Sequence, residues 1–229
     1  RQNHQKEAEG KEKGRSQTEA CAEGKACQRW SDVAAGSRNG KGRLRGYSMI
    51  AYKGFLPGLI CRDYQFKMGL NVTEKANCAH NGFHCAEDPL DCLSYYGDIN
   101  HAEYYIVDAG GDIDEDDVDS KISCTELTIL KRLTKKELFL HGLAFMADHP
   151  KRKWNSHIKA DKAEAWNGYA AVRGADPIAK GTRNGDVLAF AKEDSTTGGI
   201  QQIVVAEIDG KTLQPGIWYG VELEKRMVN

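Results

Sequence analysis

Four histidine and cysteine side chains fall within eight residues of this chain: Cys78, His80, His84 and Cys85. Zinc is held tetrahedrally by such nitrogen and sulfur ligands, so the cluster is a candidate metal site, with Cys61 and Cys92 as candidate neighbours. The spacing is not that of a zinc knuckle, and adjacent residues on a strand point to opposite faces, which sets His84 against Cys85 as joint ligands. The same pair offers a second chemistry. A cysteine beside a histidine, with Glu87 and Asp88 following, suggests a thiol nucleophile and its base. Strand neighbours do not readily hydrogen-bond side chain to side chain. A working dyad would therefore pair Cys85 with His101 or His141 across space, and the alternative is a buried, inert thiol.

A third chemistry uses NAD. In outline, Lys53-Gly54, Gly82-Phe83-His84, Tyr95 or Tyr96, and Glu126 resemble the order of site residues in ADP-ribosyltransferase folds. That resemblance implies catalytic roles for Lys53, His84, Tyr95, Tyr96 and Glu126, with Tyr52, Gly54, Gly82 and Phe83 against the cofactor. Glu126 would stabilise an oxocarbenium-like transition state, a natural task for a carboxylate. The chain departs from the outline at Lys53, where an Arg or His is usual, and in the residues flanking Glu126. The alternative is a strand–helix junction in which Gly82 and Asp88 serve the backbone. An EF-hand reading fails: Asp112, Asp114 and Asp116 mimic the first ligands of such a loop, but Asp117 stands where glycine is needed and Ser123 where a glutamate is needed, so the segment reads as an exposed acidic turn.

These residues need elements to position them. Met49–Tyr52 and Tyr64–Met68 read as short strands, with a Gly/Pro turn at Gly54–Gly58 between them. Asp88-Pro89 starts a helix, because Asp caps free N–H groups and Pro is pre-set for the first helical position. Glu103–Ala109 and Lys121–Leu130 read as strands, separated by an acidic loop from Asp112 to Ser120. Thr134-Lys135-Lys136-Glu137 is a capping box opening a second helix that Pro150 ends. From Ala165 to Ala191 small residues recur at short steps, which suits a stack of tight β-rungs. Ile200–Ile208 is a strand, and Asp209-Gly210 is a hairpin turn bringing Ile217–Leu223 back against it. Trp154, Trp166, Tyr169 and Trp218 fit either a partner surface or inter-rung packing.

The expected organisation is a basic, disordered leader at 1–48, an α+β head with two short helices at 49–150, and a Gly-rich all-β tail at 151–229, solenoid-like with a closing hairpin. The leader has too few apolar side chains to offset its ordering entropy. Met49 precedes the first ordered-looking run and reads as a natural start, with the leader an addition ahead of it. The chain of 229 residues carries a net charge of −1, which argues against nucleic acid or a membrane as a global partner and leaves the basic leader as the one segment that could touch nucleic acid. No apolar run approaches the ~18 residues of a membrane span. The polar N-terminus lacks a secretory h-region, so Asn71-Val72-Thr73 carries no weight as a glycosylation site. An odd count of seven cysteines without a framework points to free thiols in a reducing compartment.

A set of motifs runs from Met49 onward: Tyr52-Lys53-Gly54-Phe55, Cys61-Arg62, Asn81 through Asp91, Tyr95-Tyr96, the Tyr104–Asp108 strand, Asp119-Ser120-Lys121-Ile122, Val204 through Lys211 and Gln214 through Tyr219. In these the chain resembles a family of uncharacterised phage and prophage proteins. The resemblance implies phage origin and a host-cytoplasmic or virion-associated location, and it implies no chemistry. The expectation is an accessory protein that binds a protein partner or assembles, with self-association through the tail. The alternatives are the NAD-using transferase and a zinc-stabilised binding module.

Overall fold

The computed structural model of the protein describes residues 44–45, 48–76, 81–115 and 120–228. All of them fall within one compact unit. The leader, apart from 44–45 and 48, lies outside the described residues, as do Cys78 and His80.

Strands account for 49% of the chain and helix for 12%, so the protein is β-rich and the α+β expectation is corrected. The first half is one six-stranded antiparallel sheet. Its strands are β1 (Leu44–Arg45), β2 (Met49–Phe55), β5 (Gly69–Val72), β6 (Phe83–Ala86), β7 (Glu103–Glu115) and β8 (Lys121–Leu133), while β3 (Ile60–Cys61) and β4 (Tyr64–Gln65) form a small separate hairpin. The spatial order is β1-β7-β2-β6-β8-β5, and β7 also pairs with β8, so β2, β6, β8 and β7 close into a ring. The ring encloses a core of Ala51, Phe55, Phe83, Val107, Ile113, Ile122, Cys124 and Leu127.

One departure lies in the acidic segment. Asp112-Ile113-Asp114 alternates, with Ile113 at 1% exposure and the aspartates half-buried, so it continues β7 through Glu115 where a loop was expected. The bend needed to close the ring falls at an irregularity between Gly110 and Ile113. Gly111 sits there at φ 73°, and a Cβ on it would collide with Thr125 Oγ1.

The second half is also a sheet, built from β9 (Lys159–Glu164), β10 (Tyr169–Lys180), β11 (Val187–Glu193), β12 (Ile200–Glu207), β13 (Trp218–Tyr219) and β14 (Lys225–Arg226). The Gly/Ala stretch is not a stack of short rungs. It forms two long strands, β10 and β11, side by side in parallel, with Ala170, Ala171, Ala189 and Ala191 buried at the contact. Along β10, Tyr169–Gly174 pairs with β11, Ala179–Lys180 with β13, and both Val172–Arg173 and Ile178–Lys180 with β9. The register shifts between Arg173 and Ile178, where Pro177 supplies no N–H. The expected closing hairpin is also corrected. β12 pairs with β11 rather than with the chain end, and β13 pairs with β10 and β14. The Asp209 side chain accepts from the backbone N–H groups of Lys211 and Leu213, which holds a longer loop there.

The two sheets share a core with α1 (Lys135–Asp148) and the 3-10 helix Pro89–Ser94. Leu90, Leu93, Phe139 and Leu143 pack with Ile158, Val187 and Ala189. Both helix starts follow the sequence. Thr134 Oγ1 accepts from Glu137 N and Glu137 Oε2 accepts from Thr134 N, a complete capping box, while Asp88 Oδ1 accepts from Leu90 N. Among the described residues no helix is long and apolar enough to cross a membrane.

Candidate functional site

The first sheet is incomplete at one seam. β2 and β6 meet at a single residue pair, Tyr52 opposite Ala86. Beyond it the strands part, so Lys53, Gly54 and Phe55 pair with β7 alone. The opening between them is a cavity of ≈ 760 Å³, roofed by the β3–β4 hairpin and the 3-10 helix. That volume lies in the range of small-molecule sites.

Lys53 dominates its chemistry. The side chain is 5% exposed. Its Nζ donates 2.5 Å to the backbone carbonyl of His84, a group that a continued β2–β6 ladder would have engaged. The ammonium lies 5.3 Å and 5.2 Å from the ring centroids of Phe55 and Phe66. Among the described residues no carboxylate stands within ion-pair distance of it. A buried cation is costly unless paired, so a buried lysine without a counter-ion beside an open cavity is an unfinished electrostatic arrangement.

Other cations share the cavity. Arg62 takes φ 53° at the tip of the two-residue β3–β4 turn, and its guanidinium makes no hydrogen bond or ion pair among the described residues. Lys121, first residue of β8, lines the same space. Between them sits His84, half-buried, with Nε2 shielded from water and without a hydrogen-bond partner. Burial first, then the charges of Lys53, Lys121 and Arg62, push its pKa down to about 4, so the imidazole is neutral at pH 7.

The 3-10 helix side of the cavity is tied to the scaffold. Asp91 Oδ2 accepts from Ser120 Oγ at 2.5 Å and its Oδ1 from Asn155 Nδ2 at 2.7 Å, while Asn155 Nδ2 also reaches Asp88 Oδ2 at 2.9 Å. Burial pushes the Cys92 thiol up to about 12, so it stays protonated. The Tyr96 ring closes over β2. A Cβ on Gly54 would lie 2.6 Å from Tyr96 Cδ2, so only glycine lets the ring seat there, and the Tyr96 hydroxyl donates 3.0 Å to Cys61 Sγ. Tyr64 and Tyr95 stand at the mouth, 45% and 61% exposed.

The structure thus gathers Tyr52, Lys53, Gly54, Gly82, Phe83, His84, Cys85, Tyr95 and Tyr96 around one cavity. It does not bring Glu126 there. Glu126 is exposed on β8, opposite Val72 of β5, with its side chain against Gly110. The transferase constellation therefore lacks its carboxylate. The Tyr52 hydroxyl is engaged with His141 Nδ1 at 2.9 Å. This also occupies one of the two histidines proposed for Cys85, and the other, His101, pairs with Asp98 on the surface. Contact with Cys124 and burial raise the Cys85 thiol well above its ordinary value, which suits a core thiol rather than a nucleophile. Of the proposed zinc ligands, Cys78 and His80 lie outside the described residues, and no metal-ligating group of three forms among the described ones. Sequence reasoning passed over Arg62, Tyr64, Phe66 and Lys121 as site residues. The signal available was the charged pair Arg62-Asp63 between Ile60-Cys61 and Tyr64-Gln65, a tight turn presenting a cation.

Residues 49–141 match the family of a domain of unknown function, DUF7666. The match covers less than half of the chain, yet it contains every residue lining the cavity. No curated protein and no solved structure matches the chain.

Proposed function

We propose that the chain is a phage-type accessory protein that works as a binding module, and that the cavity in its first sheet takes an anionic ligand. The observation that carries this is Lys53, buried without a carboxylate partner among the described residues, beside a cavity that also holds Arg62, Lys121 and a neutral histidine. An anion entering there would meet donors already in place and would supply the missing counter-charge. The quoted head and chain-end motifs support the accessory role and its host-cytoplasmic or virion setting. Self-association would run along β12, which ends the second sheet. Sedimentation reads that separately, and a monomer at all concentrations removes it.

The test of the cavity is a thermal-shift titration of the whole chain with inorganic phosphate and with sulfate. The expected result is a saturable rise in Tm that is lost in Lys53→Met. A Tm that does not move, or that rises equally in Lys53→Met, would overturn the proposal.

A further inference from the structure

We infer that the ligand is a phosphomonoester carried on a planar aromatic ring, with the phosphate between Lys53, Arg62 and His84 and the ring at the Tyr64–Tyr95 mouth. The inference rests on the anion-binding proposal above and narrows it to one chemistry.

The phosphate half follows from how the donors converge. Lys53 comes from β2, Arg62 from the β3–β4 turn and His84 from β6, so two cationic donors and an imidazole line the space from three elements. An ammonium has three N–H groups, and the carbonyl of His84 uses one on Lys53. Arg62 brings a guanidinium fork that is unengaged among the described residues, and His84 Nε2 is buried without a partner. A planar carboxylate presents two oxygens in one plane, whereas a phosphate presents three around a tetrahedral centre and matches polar groups arriving from three sides, an imidazole nitrogen included. The charge agrees. After burial, the charges that hold the His84 pKa down are those of Lys53, Lys121 and Arg62; of the two carboxylates in the lining, Asp91 is engaged by Ser120 and Asn155, and Asp63 adjoins Arg62 at the turn. A phosphate dianion can answer Lys53 and Arg62 together.

The ring half follows from the mouth. Tyr64 and Tyr95 are the exposed aromatics of the cavity lining, and exposed flat side chains beside a polar pocket serve as stacking platforms. Tyr64 is held from behind by Phe66 and Phe83, with ring centroids 4.6 Å and 5.3 Å away, so its orientation is fixed before a ligand arrives. The cavity of ≈ 760 Å³ has room for a phosphate and a bicyclic ring together.

The experiment is calorimetry on the whole chain with four probes: adenosine monophosphate, adenosine, inorganic phosphate and benzoate. The nucleotide should bind at least tenfold more tightly than each of the others. Tyr95→Ala, a change at an exposed position, should weaken the nucleotide at least threefold and leave inorganic phosphate unchanged. Phosphate binding as tightly as the nucleotide would overturn the ring half while the anion site stands. Adenosine or benzoate matching the nucleotide would overturn the phosphate half. Loss of nucleotide and phosphate together in Tyr95→Ala would overturn the division of labour between mouth and interior. Heat from none of the four would bring down both this inference and the anion-binding proposal.

Discussion

Two buried cations sit in the two sheets of this protein, and they are opposites. Arg173 in β10 is 6% exposed; its Nε donates 2.5 Å to Glu193, its Nη2 donates 3.1 Å to the carbonyl of Gly198, and its guanidinium lies 4.3 Å from the Trp154 ring. Lys53 in β2 is 5% exposed and has a carbonyl and two phenyl faces, without a carboxylate among the described residues. Arg173 is complete where it stands, and it joins β10 to β11. Lys53 is complete only with something added. Burial alone does not separate a structural charge from a functional one; the count of partners does.

The largest effect expected from breaking that contrast is at Arg173. Arg173→Met strands Glu193 in a half-shielded position and removes the stack on Trp154, which should cost about 3 kcal/mol in urea unfolding. Lys53→Met should behave differently. It keeps the length and apolar stem of the side chain and removes an unpaired buried charge, so stability should stay within about 1 kcal/mol of the parent or rise. Equal losses in the two variants would make Lys53 as structural as Arg173 and would remove the contrast.

Between those two lies Gly54→Ala. The added methyl meets the Tyr96 ring at 2.6 Å, and a packed neighbour must shift, at a cost of about 1–3 kcal/mol. Combining it with Tyr96→Ala should recover part of the loss, because the second change removes the atoms the methyl meets. Strict additivity in the double variant would mean that Gly54 acts through its own backbone and that Tyr96 does not close the seam.

How far the sequence disclosed all this depended on how local the signal was. The capping box at Thr134–Glu137 and the Asp88-Pro89 start involve groups within three residues of each other, and both formed. The alternation of β7 was legible in Asp112-Ile113-Asp114 and was hidden by counting charges instead of their period. The small-residue stretch in 165–191 carried a true signal of close packing and a false one of rungs. Alanine fits a parallel contact between two long strands as well as a stack of short ones, and pairing partners far apart in sequence decide between them. At the site, the glycine- and histidine-bearing segments were recognised and their chemistry was misassigned. Lys53 gains its meaning from a carboxylate's absence, and which carboxylates reach a side chain is set by the seam between β2 and β6, a tertiary feature. Glu126 fell on the far side of β8 for the same reason.

The smallest expected effect concerns His84 and the pH. Its folded pKa, about 4, lies below the ordinary histidine value of 6.5, because burial and the cations Lys53, Lys121 and Arg62 oppose a further charge. In the unfolded chain the imidazole protonates near its ordinary value, so between about pH 6.5 and pH 4 the unfolded state binds more protons than the folded one. This histidine therefore costs nothing above pH 7 and withdraws stability as the pH falls through that window. Burial also lowers His141 and His157, which act in the same direction, so the total fall does not belong to His84 alone. The difference between parent and His84→Gln isolates it. The urea midpoint of the parent should fall more steeply from pH 7 to pH 5 than that of the variant, and 10 mM phosphate should reduce the gap by supplying the counter-charge the cavity lacks. Parallel profiles without phosphate would show that His84 does not feel the three cations. Profiles that differ without phosphate and are unchanged by it would leave the cations in place and deny them the anion.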